Sequence, residues 1–217
     1  PNGPSLSVLA ALEESGLEID CTRIDLSAGE RHGLSGVSDS IAMDFAVEGE
    51  GPVLVIDGEA MSEAVFIAQY FDEAAGGCGL QPADPYARWQ MLMWCRQATE
   101  RLSPAAAYIG LHANTGGDAQ LDAIASDDLR ERWTHWQQRR FDEAKLADSR
   151  AKVAQFAQRI EDQLADGREW LMGSFSIADL ETFAWIRSMR YLEAEAFSGK
   201  GALDAWMGRV ESRPSVQ

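Results

Sequence analysis

Gly51-Pro-Val-Leu-Val-Ile-Asp-Gly58, followed by Ser62-Glu-Ala-Val-Phe-Ile-Ala-Gln-Tyr70, is the stretch whose reading decides the fold. Pro52 to Ile56 is short and β-branched, the mark of a strand, and Asp57-Gly58 is a strong hairpin-turn signal. Glu59 to Met61 reads as the returning strand. Ser62 is placed as the N-cap of a helix carrying Phe66, Ile67, Tyr70 and Phe71 at three-and-four spacing.

Upstream, the alternation of strand and helix signals continues. Ser5 to Ser15 predicts a helix with Leu6, Val8, Leu9 and Leu12 on its buried side and Gly16 as its stop. Glu18 to Leu26 alternates as a strand, and the Gly- and Ser-rich run from Ser27 to Ser40 reads as a loop with a short helix. Downstream, Gly76, Gly77 and Gly79, closed by Pro82 and Pro85, read as a linker. Asp84 with Pro85 then opens a helix containing Trp89, Met93 and Cys95. Val153, Phe156, Ala157, Ile160 and Leu164 form an amphipathic stripe. Ser176-Ile-Ala-Asp179 is a capping box stapled by Phe175 and Leu180, and Arg213-Pro214 ends the last helix. The expected architecture is an α/β domain over residues 1–75 followed by an all-helical domain over residues 84–217.

Composition narrows the function. The 217 residues have a formal net charge of −16, which repels phosphate backbones and argues against a nucleic-acid partner. Arg130, Arg132, Arg139 and Arg140 lie among Asp127, Asp128, Glu131 and Asp142, as on a solvated helix face. Cys21, Cys78 and Cys95 are odd in number and widely spaced, without a disulfide framework or metal-ligand spacing, so no metal is expected. A reducing cytoplasm fits that usage. No apolar run is long enough to span a membrane, and no leader pattern precedes the first helix. A start at Pro1 rather than Met leads to the expectation that residues precede it.

These pieces, in this order, resemble the glutathione transferase superfamily, in which a thioredoxin-like amino-terminal domain precedes an all-helical carboxyl-terminal domain. Shorter stretches are similar to bacterial β-etherases, which split lignin-derived β-aryl ethers. They are Leu80-Gln-Pro-Ala-Asp-Pro-Tyr86 with Trp89 and Trp94, Trp136-Gln-Gln-Arg-Arg140, and Pro4-Ser-Leu6, where Pro replaces the usual Asn.

The resemblance implies a glutathione cosubstrate and a first strand lying before Pro1. It implies that Ser5, with Asn2 and Ser7 as substitutes, donates a hydrogen bond to the glutathione sulfur at the positive end of the first helix. Ser5 read simply as a helix cap is the alternative. Gly51 and a cis Pro52 would pair with the cysteinyl unit like an added strand. Glu63 and the backbone at Ala64 would hold the γ-glutamyl carboxylate. The superfamily usually has Ser at the Ala64 position, and losing a hydrogen bond to a charged group costs about 1.5–3 kcal/mol. Arg31 and His32 offer a cation for the glycyl carboxylate, or are exposed loop charges. Tyr108, Trp133 and Trp136, along with Trp94 and Tyr191, are candidates for an aromatic substrate pocket, or else core residues.

Two functions of different class follow. One is an enzyme whose glutathione thiolate cleaves β-aryl ethers or attacks other electrophiles. The other is a weakly catalytic or structural subunit paired with a paralogue, with a ligand-binding protein as a third reading. A homodimer and a heterodimer are both compatible with the sequence.

Overall fold

The computed structural model describes residues 3–25, 30, 51–114, 121–123 and 127–217. Helix α1, Gly3–Ser15, begins two residues before the predicted start at Ser5, with Pro4 in the first turn, where its missing N–H costs nothing. Strands β1, Leu54–Ile56, and β2, Glu59–Met61, form an antiparallel hairpin with Leu54 opposite Met61 and Ile56 opposite Glu59. Its turn residues Asp57 and Gly58 have φ of 52° and 87°, the left-handed pair that a two-residue hairpin demands and that Asp-Gly supplies. Helix α2, Ala64–Ala74, follows.

The helical part comprises α3, Pro85–Gln97, a π-helical turn at Ala98–Leu102, α4, Ser103–Ala113, α5, Asp127–Gln137, and α6, Glu143–Leu164. It ends with α7, Ile177–Ile186, α8, Met189–Leu192, and α9, Gly201–Glu211. The Asp84 carboxylate caps α3 by accepting from the Ala87 N–H at 2.8 Å. The predicted stripe on α6, from Val153 to Leu164, is buried throughout.

Three expectations are corrected. Residues 17–25 form no ladder with any described strand, although Leu17 and Ile19 pack inward while Glu18 and Asp20 face out, so the alternation records burial rather than pairing. Ser62 is not the cap of α2, because Glu63 stands at that place. No peptide bond among the described residues is cis, so the Gly51–Pro52 bond takes the trans form that X–Pro bonds favour by about 0.5–1 kcal/mol.

Helix α7 is the axis of the molecule. Nine of its ten residues are buried, and α1, α2, α3, α4 and α9 pack around it. Asp179 at its start accepts from the Leu171 N–H at 3.0 Å, the Ser176 N–H at 3.0 Å, the Ser176 hydroxyl at 3.1 Å and the Trp206 indole at 2.8 Å. The residues after α2 are fastened to it as well. Asp72 accepts from the Leu80 N–H at 2.9 Å, and the Leu80 carbonyl accepts from the Ile177 N–H at 3.0 Å. Those two bonds tie the α/β part to the first turn of α7.

Candidate active site

Ser5 lies inside the first turn of α1 and is half-buried, so it is not the residue that opens the helix. That placement weakens the reading of Ser5 as a simple cap and puts a hydroxyl near the positive end of a helix dipole. Helix α1 packs on both α2 and α7, and α2 touches α7, so the three form one cluster. The burial of Ala10 and Ala11 at 0% marks the seam, where small side chains let the helices close up.

The second element is the start of α2. Glu63 has φ 71° and ψ 108°, a region that a residue with a side chain occupies at a cost of about 1–3 kcal/mol. The Glu63 side chain makes no capping hydrogen bond to this turn. A helix whose first N–H groups lack a side-chain acceptor is suited to bind an anion, because the orphan donors and the dipole act together. Glu63 is exposed and Ala64 is buried, which leaves backbone rather than side-chain oxygen at the turn. Gly51 and Pro52 are half-buried in the bend that leads into β1. Asn2, Arg31 and His32 lie outside the described residues.

The predicted aromatic residues gather where α4, α5 and the start of α6 meet. Tyr108 accepts from the Asp142 N–H at 2.8 Å and stands edge-to-face with Phe141. Trp136 is buried, donates to the Asn114 carbonyl at 3.3 Å, and meets Trp133 edge-to-face at 5.2 Å. Each thus has a packing role. Trp94 is a core residue whose indole donates to Thr182 at 2.9 Å, and Tyr191 is exposed. A cavity of about 730 Å³ lies elsewhere, between α3 and α6, lined by Arg96, Arg101, Lys152 and Arg159 among others. It contains none of the predicted site residues.

Two of the three cysteine thiols, Cys78 and Cys95, are poor competitors for thiol chemistry. Partial burial, then a hydrogen bond to Asp72, pushes Cys78 up to about 11, and burial pushes Cys95 well up. Sequence reasoning missed one group, Glu181 of α7, whose carboxyl is buried and raised above its ordinary range by desolvation. An acid at a core position of an otherwise apolar helix was the available signal. Among the described residues no cluster is suited to a metal ion, and no helix is long and apolar enough to cross a membrane.

No family model matches the chain. Protein LigF of Sphingobium sp. (strain NBRC 103272 / SYK-6) is 26% identical over the whole chain and 89% of its own length. The crystal structure of the β-etherase LigF from Sphingobium sp. strain SYK-6 superposes with a TM-score of 0.84 at 24% identity, covering 100% of this chain and 93% of that one. In fold, the chain is similar to the glutathione transferases. A glutathione transferase from Pseudomonas putida, crystallised with one glutathione disulfide per subunit, has a TM-score of 0.73 at 19% identity, covering all of this chain and 86% of that one. The glutathione transferase fold accounts for both halves: a thioredoxin-like amino-terminal domain contains the β1–β2 hairpin, and an all-helical domain follows.

Proposed function

We propose that the protein is a glutathione transferase that cleaves β-aryl ether bonds of lignin-derived aromatics. The observation that carries this reading is the strained, uncapped start of α2 at Glu63, packed beside the helix that bears Ser5. Strain of this kind persists where the surrounding structure imposes it, and it gathers at ligand clamps. The likeness to LigF supports the substrate class.

In this reading the γ-glutamyl carboxylate of glutathione lies on the N–H groups at the start of α2. The backbone at Gly51 and Pro52, with the bond between them trans, lies beside the cysteinyl unit, and Asn2 and His32 complete the site. Ser5 donates to the sulfur and favours its thiolate. The thiolate attacks the carbon that carries the aryloxy group beside a ketone. A C–S bond forms, the C–O bond breaks, and the phenolate leaves with the electron pair and takes up a proton from water. Tyr108, Trp133 and Trp136 belong to the region proposed to receive the aromatic substrate.

The boundaries at residues 1–75 and 84–217 are assigned as the glutathione and substrate domains. Exposed Phe66 on α2 and the stacked Tyr86–Trp89 pair at the start of α3 offer apolar surface for a dimer with a second copy or a paralogue. Three free cysteines fit a reducing cytoplasm. Replacing the Ala64 position's usual hydroxyl by a methyl favours the weakly catalytic, heterodimeric alternative.

The test is turnover of a β-aryl-ether ketone with glutathione, followed by appearance of the thioether. Ser5→Ala is expected to lower kcat about 10²-fold, the effect of losing one donor to a developing anion. Absence of thioether at high enzyme concentration excludes the chemistry for the isolated chain.

A further inference from the structure

Helix α7 carries one acid that neither its capping box nor the proposed site uses. Glu181 is 2% exposed, and no cation pairs with it among the described residues. Its Oε1 accepts from the Trp185 indole N–H at 2.9 Å. Among the described residues its Oε2 has no hydrogen-bond partner, and the same is true of the wholly buried Ser7 hydroxyl on α1. The two are close enough for the hydroxyl to act on the carboxyl, though they are not aligned as a hydrogen bond.

Burial raises the carboxyl first, and the charge of Glu63 adds to it, while Trp185 and Ser7 oppose both. The Cys95 thiol on α3 also faces it and is itself held protonated. The two orphan atoms are each other's natural partners, the Ser7 hydroxyl donating to Oε2 or, when Glu181 is protonated, accepting from it.

The other end of the arrangement is Gly3. A Cβ there would lie 3.1 Å from Trp185 Cε3 and 3.2 Å from the Ala184 carbonyl, so the first residue of α1 sits directly on the indole that Glu181 holds. Glu181 therefore reaches α1 at two points, position 3 through Trp185 and position 7 through Ser7. Ser5 lies between them.

We propose that Glu181 and Trp185 are positioning residues for Ser5, clamping the amino end of α1 from helix α7. The proposal rests on the reading that Ser5 stabilises the glutathione thiolate. A displacement of about 1 Å at a reacting group can cost on the order of 10²-fold in rate, so a modest loosening of this clamp is visible in kcat.

The experiment uses the full chain with glutathione and compares S5A, E181A, E181Q, W185F and G3A. It measures the pH dependence of thiolate absorbance in bound glutathione, and kcat and KM with a β-aryl-ether ketone. E181A, W185F and G3A are expected to lower kcat about tenfold and to move ionisation of the bound thiol to higher pH. KM for glutathione should change less than about twofold, because the start of α2 is untouched. E181Q should recover most of the loss, since its amide accepts from Trp185 and donates to Ser7 as the protonated acid does. If E181A does not fold, W185F and G3A decide the matter. Wild-type kcat and thiol ionisation in W185F and G3A, with S5A impaired, overturn the clamp alone. An unimpaired S5A overturns the reading of Ser5 and the clamp with it.

Discussion

Two helices of this chain begin behind a serine and a nearby acid, Ser62-Glu63-Ala64 at α2 and Ser176-Ile177-Ala178-Asp179 at α7, and they are built in opposite ways. At α7 the cap residue is extended, with φ −154° and ψ 174°, and the Asp179 carboxylate collects four donors in a buried network. Nothing there is left for a ligand. At α2 the cap position is Glu63 in a strained left-handed conformation, and its side chain does not close the turn. The first start holds the fold together, and the second keeps its helix N–H groups open at a conformational cost. A helix start that is both strained and uncapped is hard to explain by stability, which makes it the better candidate for a site.

The comparison can be broken or sharpened by mutation. The largest effect belongs to Asp179→Ala, expected to cost about 3–5 kcal/mol because several buried donors lose their acceptor together. Denaturant titration reads it, and a loss under 1 kcal/mol would dissolve the contrast. Next is Ala64→Ser, which restores a hydroxyl at the open start. Glutathione affinity should rise roughly ten- to a hundredfold with stability nearly unchanged, as calorimetric titration would show. Glu63→Gly removes the cost of its φ and should add about 1 kcal/mol of stability while weakening glutathione binding. Ser176→Ala should cost about 1 kcal/mol, whereas Ser62→Ala, off the cap position, should change stability by less than about 0.5 kcal/mol.

A pH effect of defined direction comes last. Glu181 is raised above its ordinary 4.5 in the folded chain, so folding favours its protonated form. Its contribution to stability is complete below that ordinary value and is lost as pH rises through the folded value. E181Q cannot titrate there, so its stability relative to the wild type should improve as pH increases. A difference that is flat with pH would mean that the carboxyl is not raised.

The features legible in the sequence were those whose chemistry is local. Asp57-Gly58 announces a turn because few other pairs accept two positive φ angles, and Ser176 with Asp179 announces a cap because both partners sit within one turn. The start of α2 lies one residue beyond the local signal for the same reason. Ser is the better cap by propensity, but the path from β2 into α2 imposes the left-handed conformation on Glu63. The run from Glu18 to Leu26 shows the complementary failure: alternation reports which side chains face inward, while a ladder needs a partner strand. Trp136 and Tyr108 read as ring surface in the sequence, and only the fold reveals the Asn114 carbonyl and Asp142 that they bind. Glu181 is harder to read, because an acid in helix-forming sequence ordinarily faces water and its burial arises from α1 closing over α7.

The contrast between the two helix starts is tested most directly by amide chemical shifts during a glutathione titration. The account predicts that the N–H resonances of Ala64, Val65 and Phe66 move together and saturate, while those of Ile177 to Leu180 stay in place. Saturation without movement at Ala64 to Phe66, or equal movement at both helix starts, would contradict it.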